Sequence, residues 1–195
     1  MHVSRTGGVS IRECLRTGLN EATSVGSSLH APLCEARDEL GELFDSTFKF
    51  AVVRNPWDRL VSWHSYISST AFPDLDHESL SDPDASHWTD FDAYLDAALK
   101  ETWTIDGEER LVASQFHQLA DAQGRLLTDD LGRFEILAED LSRLLERAKL
   151  RCPPLKRMNQ SYHQHYSVYF SAYGRQLVES CLPEDIAQFG YRFGP

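Results

Sequence analysis

Positive charge is scarce in this chain of 195 residues, where 19 Lys and Arg stand against 30 Asp and Glu for a formal net charge of −11. A nucleic-acid-coating surface needs clustered Lys and Arg to displace counterions, so that role is excluded and any anion site must be local. Cysteine is sparse as well. Cys14, Cys34, Cys152 and Cys181 form no C-x-x-C pair and keep no regular spacing. That excludes a zinc knuckle and a disulfide scaffold, predicts reduced structural thiols, and leaves no metal to expect. No run approaches the ~20 apolar residues that span a bilayer. The start of the chain also lacks the basic segment and apolar stretch of a signal peptide. The expectation is a cytoplasmic protein, free or peripheral to a membrane, with no integral membrane segment and no nucleic-acid partner. There is no internal repeat or low-complexity tract, and no Walker G-x-x-x-x-G-K-[ST] motif.

What is present is 42% hydrophobic residues, enough for one sizeable core, so a single domain over 1–195 is expected. Met1-His2-Val3-Ser4 reads as a short strand entering the turn Arg5-Thr6-Gly7-Gly8, and Val9 to Arg16 carries helical spacing through Ile11 and Leu15. Leu33, Leu40 and Leu43 mark an amphipathic helix. Phe48 to Val53 reads as a buried parallel strand, because its last three residues are continuously apolar. Pro56 suits the first turn of the helix that follows, with Leu60, Trp63, His64 and Ile67 along one side. Residues 71–90 are rich in Pro, Ser, His and Asp and read as an acidic surface excursion, either a lid or a passive loop. Further helices are expected around Phe91 to Leu99, Leu141 to Leu150 and Tyr166 to Cys181, with a strand over Arg133 to Leu137. Strands alternating with helices imply an α/β fold with a doubly wound parallel sheet flanked by helices.

Two stretches carry chemistry. Arg5-Thr6-Gly7-Gly8-Val9-Ser10 stands where a strand would meet a helix, so its glycines let backbone N–H groups close on a phosphate at the positive end of the helix dipole. Thr6 and Ser10 could add hydroxyl donors, although a plain glycine turn has the same sequence. Arg54-Asn55-Pro56-Trp57-Asp58-Arg59-Leu60-Val61-Ser62 is more specific. It sets Arg54 at the carboxyl end of a buried strand, where open α/β sheets bind ligands, and an arginine there needs an anion to meet it. Ser62, on the following helix, is placed to add a hydroxyl to the same anion. Asp58 and Arg59 read as a surface pair, and Trp57, Trp63 and Tyr66 read as core rather than as a stacking surface.

These stretches resemble the sulfotransferase family, in particular the branch of carbohydrate sulfotransferases and their bacterial relatives. Met1 to Ile11 is similar to the family's 5′-phosphosulfate loop, and Phe50 to Ser62 matches its 3′-phosphate motif closely. The tail, with Asn159, Ser161 and Asp185 to Phe193, is similar to the C-terminal segment. The resemblance implies a P-loop NTPase-like sheet and an enzyme that moves a sulfuryl group from 3′-phosphoadenosine 5′-phosphosulfate (PAPS) to an acceptor hydroxyl, first of all on a carbohydrate. By it, Arg54 and Ser62 would bind the 3′-phosphate, while Arg5, Thr6, Gly7, Gly8, Val9 and Ser10 would hold the 5′-phosphosulfate. Arg5 stands where the family has a lysine that stabilises the leaving oxygen, and Val9 where Thr is usual. An arginine brings charge as a planar fork instead of a compact ammonium. His30, ahead of the second motif, is the implied base, with an imidazole suited to proton transfer near neutral pH. His2, His64 and His163 are weaker candidates, and Lys156, Arg157 and Asn159 would close over the nucleotide. Two readings compete: a nucleotide kinase or other NTPase, which would need the Walker lysine and a magnesium-binding Asp, and a noncatalytic nucleotide-binding relative.

Overall fold

The structure is a computed structural model, and the described residues are 3–19, 25–28, 30–71, 90–100, 103–105, 108–110, 114–155 and 163–194. Along the chain lie α1 (Gly8–Gly18), α2 (Leu33–Leu40), α3 (Glu42–Ser46), β1 (Phe50–Val53), α4 (Pro56–Ala71), α5 (Phe91–Lys100), β2 (Trp103–Ile105), β3 (Glu108–Arg110), α6 (Gln115–Leu119), β4 (Asp130–Arg133), α7 (Leu137–Arg147), α8 (Ala172–Cys181) and α9 (Pro183–Phe189). Single 3-10 turns occupy Phe134–Ile136 and Tyr166–Val168. The backbone gathers into two compact units, one of Met1–Arg54 with Gln115–Gln160 and one of Asn55–Ser114 with Ser161–Pro195.

In the first unit β1 and β4 pair in parallel, from Phe50 opposite Asp130 to Val53 opposite Arg133. Parallel neighbours cannot be joined by a tight turn, and here the connection leaves at Arg54 and returns at Gln115. Lys49 sets the register. Its backbone N–H donates to Asp129 Oδ2 at 2.7 Å, its carbonyl accepts from Asp129 N at 2.7 Å, and its ammonium lies 3.1 Å from the same carboxylate. At the far end of the ladder Asp140 accepts from Arg133 N at 2.6 Å and, with Asp130, engages Arg143. Arg147 also donates to Asp130. Burial works to raise the Asp130 carboxyl, but bonds from Arg147, the Leu131 N–H and Arg143 outweigh it and hold the group below the usual carboxylate range. The apolar face of α7 packs Leu141 and Leu145 against Cys14, with Ile11, Leu15 and Phe50 around them. Cys14 is pushed up to about 11, first by burial and then by the neighbouring Cys152 thiol. A thiol with that pKa stays protonated and inert at neutral pH.

In the second unit Asn55 caps α4, its Oδ1 accepting from Trp57 N at 3.0 Å and Asp58 N at 3.3 Å. This is the side-chain acceptor that a helix beginning at proline needs for its next orphan donors. The helices α4, α5 and α8 pack together. Tyr94 Oη donates to Leu60 O at 3.1 Å, and Phe193 is met edge-on by Trp57, Tyr166 and Phe170 at 5.5, 5.5 and 5.8 Å between ring centroids. Tyr166 Oη closes this cluster by donating to Gly194 O at 2.5 Å and accepting from Asn55 Nδ2 at 3.3 Å. The strands β2 and β3 form a separate antiparallel pair.

Several sequence expectations need correction. The first helix and the strand ending at Val53 form, but Val3 has no regular structure and Ser4 lies in a turn, while Met1 and His2 are outside the described residues. Thr6 Oγ1 donates to Val3 O at 2.7 Å, engaging a carbonyl that a strand would present to a neighbour. The helix expected through Leu43 breaks at Gly41, whose φ is 54°, and leaves Leu43 64% exposed while Phe44 turns inward. The strand expected over Arg133 to Leu137 is instead Asp130–Arg133, followed by the 3-10 turn. Its aromatic and branched residues carry a strand-like pattern, yet Phe134 is needed elsewhere, because β preference yields to the packing context. The helix expected from Tyr166 is interrupted before Ser171, which caps α8 by accepting from Gly174 N at 3.0 Å. Arg59, expected at the surface, is 1% exposed on α4. Among the described residues the parallel sheet has two strands, so the architecture shown is mixed helices with a small parallel sheet. Residues 72–89, which hold nearly all of the acidic excursion, lie outside the described set, as do Lys156, Arg157, Asn159 and Ser161. No described helix is long and apolar enough to cross a membrane.

The approach of α7 to β4 is close at Gly132, where an added Cβ would stand 2.9 Å from Leu144 Cδ1 and 3.3 Å from Asp140 Cβ. Gly132→Ala is therefore expected to lower unfolding free energy by about 1–3 kcal/mol, read as a shifted urea midpoint with an unchanged slope.

Candidate functional site

The turn ahead of α1 is built from backbone that ordinary residues avoid. Gly7 has φ 80° and Arg5 has φ 62°, both in the left-handed region. For Arg5 this costs about 1 kcal/mol or more, and the surroundings must hold it there. Thr6 is 1% exposed and clamps the turn from inside through its bond to Val3 O. Ile11 N donates to Gly7 O at 3.1 Å, which starts the helix. Gly7, as the cap residue, brings no side-chain acceptor to the first-turn N–H groups, and no acidic residue stands in that turn. The N-terminus of α1 thus carries no carboxylate in its first turn to offset its positive dipole end, with Gly8, Val9 and Ser10 leading the helix.

Arg54 follows the last residue of β1 and is 5% exposed. Its Nη1 donates to the Arg5 carbonyl at 3.0 Å, and the guanidinium carbon lies 4.1 Å from the centroid of the Phe134 ring. A carbonyl oxygen and an aromatic face are both favourable partners for a guanidinium. The Arg54 backbone is held separately. Its N–H donates to Gln115 Oε1 at 2.9 Å and its carbonyl accepts from Gln115 Nε2 at 2.8 Å. Two of the sequence-designated stretches, the glycine turn and the strand-end arginine, are therefore joined by a direct hydrogen bond. Gln115 and Phe134 were not among the residues singled out in the sequence. Both stand far along the chain from Arg54, and neither belongs to a ligand-binding motif; the Phe-Glu-Ile-Leu run in which Phe134 sits reads as strand.

The remaining designated residues fall as follows. Ser62 is fully buried on α4, in the second unit. His30 is half-buried in the turn that leads to α2, in the first unit, beside the backbone bond from Ala31 N to Ser28 O. His64 packs edge-on against Phe91 and Tyr94 at 5.2 and 4.9 Å between centroids, and His163 Nδ1 lies 2.8 Å from Gln164 O. Trp57 and Trp63 are buried, with Trp63 edge-on to Tyr66. No group of His, Cys, Asp and Glu among the described residues is arranged to hold a metal.

A family model described as the sulfotransferase family matches residues 17–191. The match contains His30, Arg54, Ser62 and Gln115, and the glycine turn precedes it. No curated protein and no solved structure matches the chain.

The conformation of the turn yields one test. At Gly7 an added Cβ would stand 2.7 Å from Leu137 Cδ2 and 3.3 Å from the Phe134 ring, on a backbone with φ 80°. Gly7→Ala is expected to destabilise the fold by roughly 1–3 kcal/mol, combining left-handed strain with overpacking, and thermal melting of the variant measures it.

Proposed function

The chain belongs to the sulfotransferase family, whose members transfer sulfuryl groups, and within it we propose a PAPS-dependent enzyme acting on an acceptor hydroxyl, on a carbohydrate or glycoconjugate. The observation that carries this reading is the buried Arg54 guanidinium bonded to the carbonyl of Arg5. It puts a fixed cation for one phosphate beside the turn that would hold another. The donor set fits such a nucleotide, since a helix N-terminus without its own carboxylate and a planar guanidinium both favour phosphate oxygens. PAPS, when bound, supplies an activated sulfuryl group whose leaving group is a phosphate.

In this reading Arg54 takes the 3′-phosphate, the feature that separates this cofactor from ATP. The backbone of Gly7, Gly8, Val9 and Ser10 cradles the 5′ end, with Thr6 locking the turn. Arg5 places positive charge where the leaving oxygen gathers negative charge, which is where fixed charge lowers a barrier most. His30 accepts the acceptor's proton. The assignment of Ser62 rests on the family pattern alone. The strained φ of Arg5 agrees with a residue kept for chemistry, since left-handed backbone at a non-glycine concentrates at functional turns. Arg5 in place of lysine is also the one observation that favours a noncatalytic nucleotide-binding relative.

Calorimetric titration separates these possibilities. The spent cofactor, 3′-phosphoadenosine 5′-phosphate, is expected to bind clearly, AMP and ATP more weakly, and Arg54→Ala to lose the bisphosphate while still melting cooperatively. A preference for ATP would instead support a kinase. Once an acceptor is identified, His30→Ala should keep nucleotide binding and lose transfer, and Arg5→Lys should transfer as fast as the wild type or faster. Wild-type transfer by His30→Ala would remove the base assignment.

A further inference from the structure

We propose that Gln115 is a positioning residue whose side-chain amide fixes the peptide of Arg54, and through it the guanidinium that recognises a nucleotide 3′-phosphate. This rests on the cofactor reading above and adds to it a residue that determines selectivity.

The β1–β4 ladder ends at Val53 opposite Arg133, so Arg54 is the first residue beyond it. At that point Gln115 takes the place of a neighbouring strand, accepting from Arg54 N at 2.9 Å and donating to Arg54 O at 2.8 Å. Both polar groups of one residue are thereby held by one side chain, which restrains the Arg54 backbone dihedrals. At neutral pH an amide supplies both the acceptor and the donor of this arrangement, where a carboxylate supplies acceptors alone, and asparagine is one methylene shorter. Gln115 is 0% exposed, and its helix is anchored by the buried Phe116 and Leu119. Burying an amide is costly unless both ends are bonded, so packing alone would be served better by Leu or Met. The head of Arg54 is held independently by the Arg5 carbonyl and the Phe134 ring. Backbone and head are thus fixed from three directions, and Gln115 sets where the side chain starts.

A purely structural glutamine would affect all ligands alike, whereas a positioning one acts on the 3′-phosphate. The test titrates wild type, Gln115→Met and Gln115→Glu with 3′-phosphoadenosine 5′-phosphate and with AMP, with a melt of each protein. Met keeps the length and removes both bonds. Glu keeps the acceptor and turns a carboxylate toward the Arg54 carbonyl. The expected result is a drop of roughly tenfold in the ratio of bisphosphate to AMP affinity for both variants, with AMP affinity unchanged, as follows from the loss of two buried hydrogen bonds in Gln115→Met and of one bond, with a carboxylate turned on a carbonyl, in Gln115→Glu. For Gln115→Glu the ratio should recover, relative to wild type at the same pH, as the buffer is lowered toward about pH 5 and the buried carboxyl regains a proton to donate. Gln115→Met should not recover. Folded variants that keep the wild-type ratio, or that lose both ligands equally, overturn the proposal; should Gln115→Met fail to fold, the pH response of Gln115→Glu decides alone. A wild type that does not prefer the bisphosphate overturns the cofactor reading, and the proposal with it, in the control arm before any variant is considered.

Discussion

A buried arginine must be held by other parts of the chain, and the first unit is organised around holding Arg54. Its peptide is gripped by Gln115, its guanidinium lies on Phe134, and its Nη1 reaches the Arg5 carbonyl. Each partner arrives on a different element. The amide comes from the start of α6, the ring from the 3-10 turn after β4, and the carbonyl from the turn before α1. A buried cation left without such partners would cost several kcal/mol, so these elements cannot drift apart without a large loss.

The same arrangement accounts for local features that look unfavourable alone. Arg5 adopts a left-handed backbone that a non-glycine residue resists, and in that conformation its carbonyl accepts from Arg54. Phe134 leaves the strand that its neighbours favour, and its ring supports the guanidinium. Gly7 and Gly132 leave room for Leu137 and Leu144, which lets α7 pack closely on the turn and on β4. Elsewhere, charge is used in ordinary ways. Asp121 accepts from the Arg125 and Gln123 backbones to close a turn, and Arg143 and Arg147 gather on Asp130. With arginines this exposed, those pairs organise the surface more than they stabilise it.

Local pattern made some of this legible. The strand ending at Val53, the helix beginning at Pro56 and the helix after the glycine turn all form, because apolar runs, a proline at the first helical position and helical spacing act over a few residues. The site was legible in part: Arg54 and the turn were named from their motifs, and they meet. The strand at Asp130–Arg133 was not legible, since Asp-Leu-Gly-Arg has no strand pattern and pairs only because β1 lies beside it. The break at Gly41 was hidden by leucines that continue the helical spacing past it.

The sequence by itself determined the residue types at the site, the family to which the chain belongs, and the positions of its most regular elements, because these depend on neighbours along the chain. Only the tertiary structure decided that Gln115 and Phe134 serve Arg54. Gln115 stands 61 residues further along the chain. Contacts over such separations leave no periodic trace in the sequence and arise when burial and hydrogen-bond satisfaction are resolved for the folded chain as a whole.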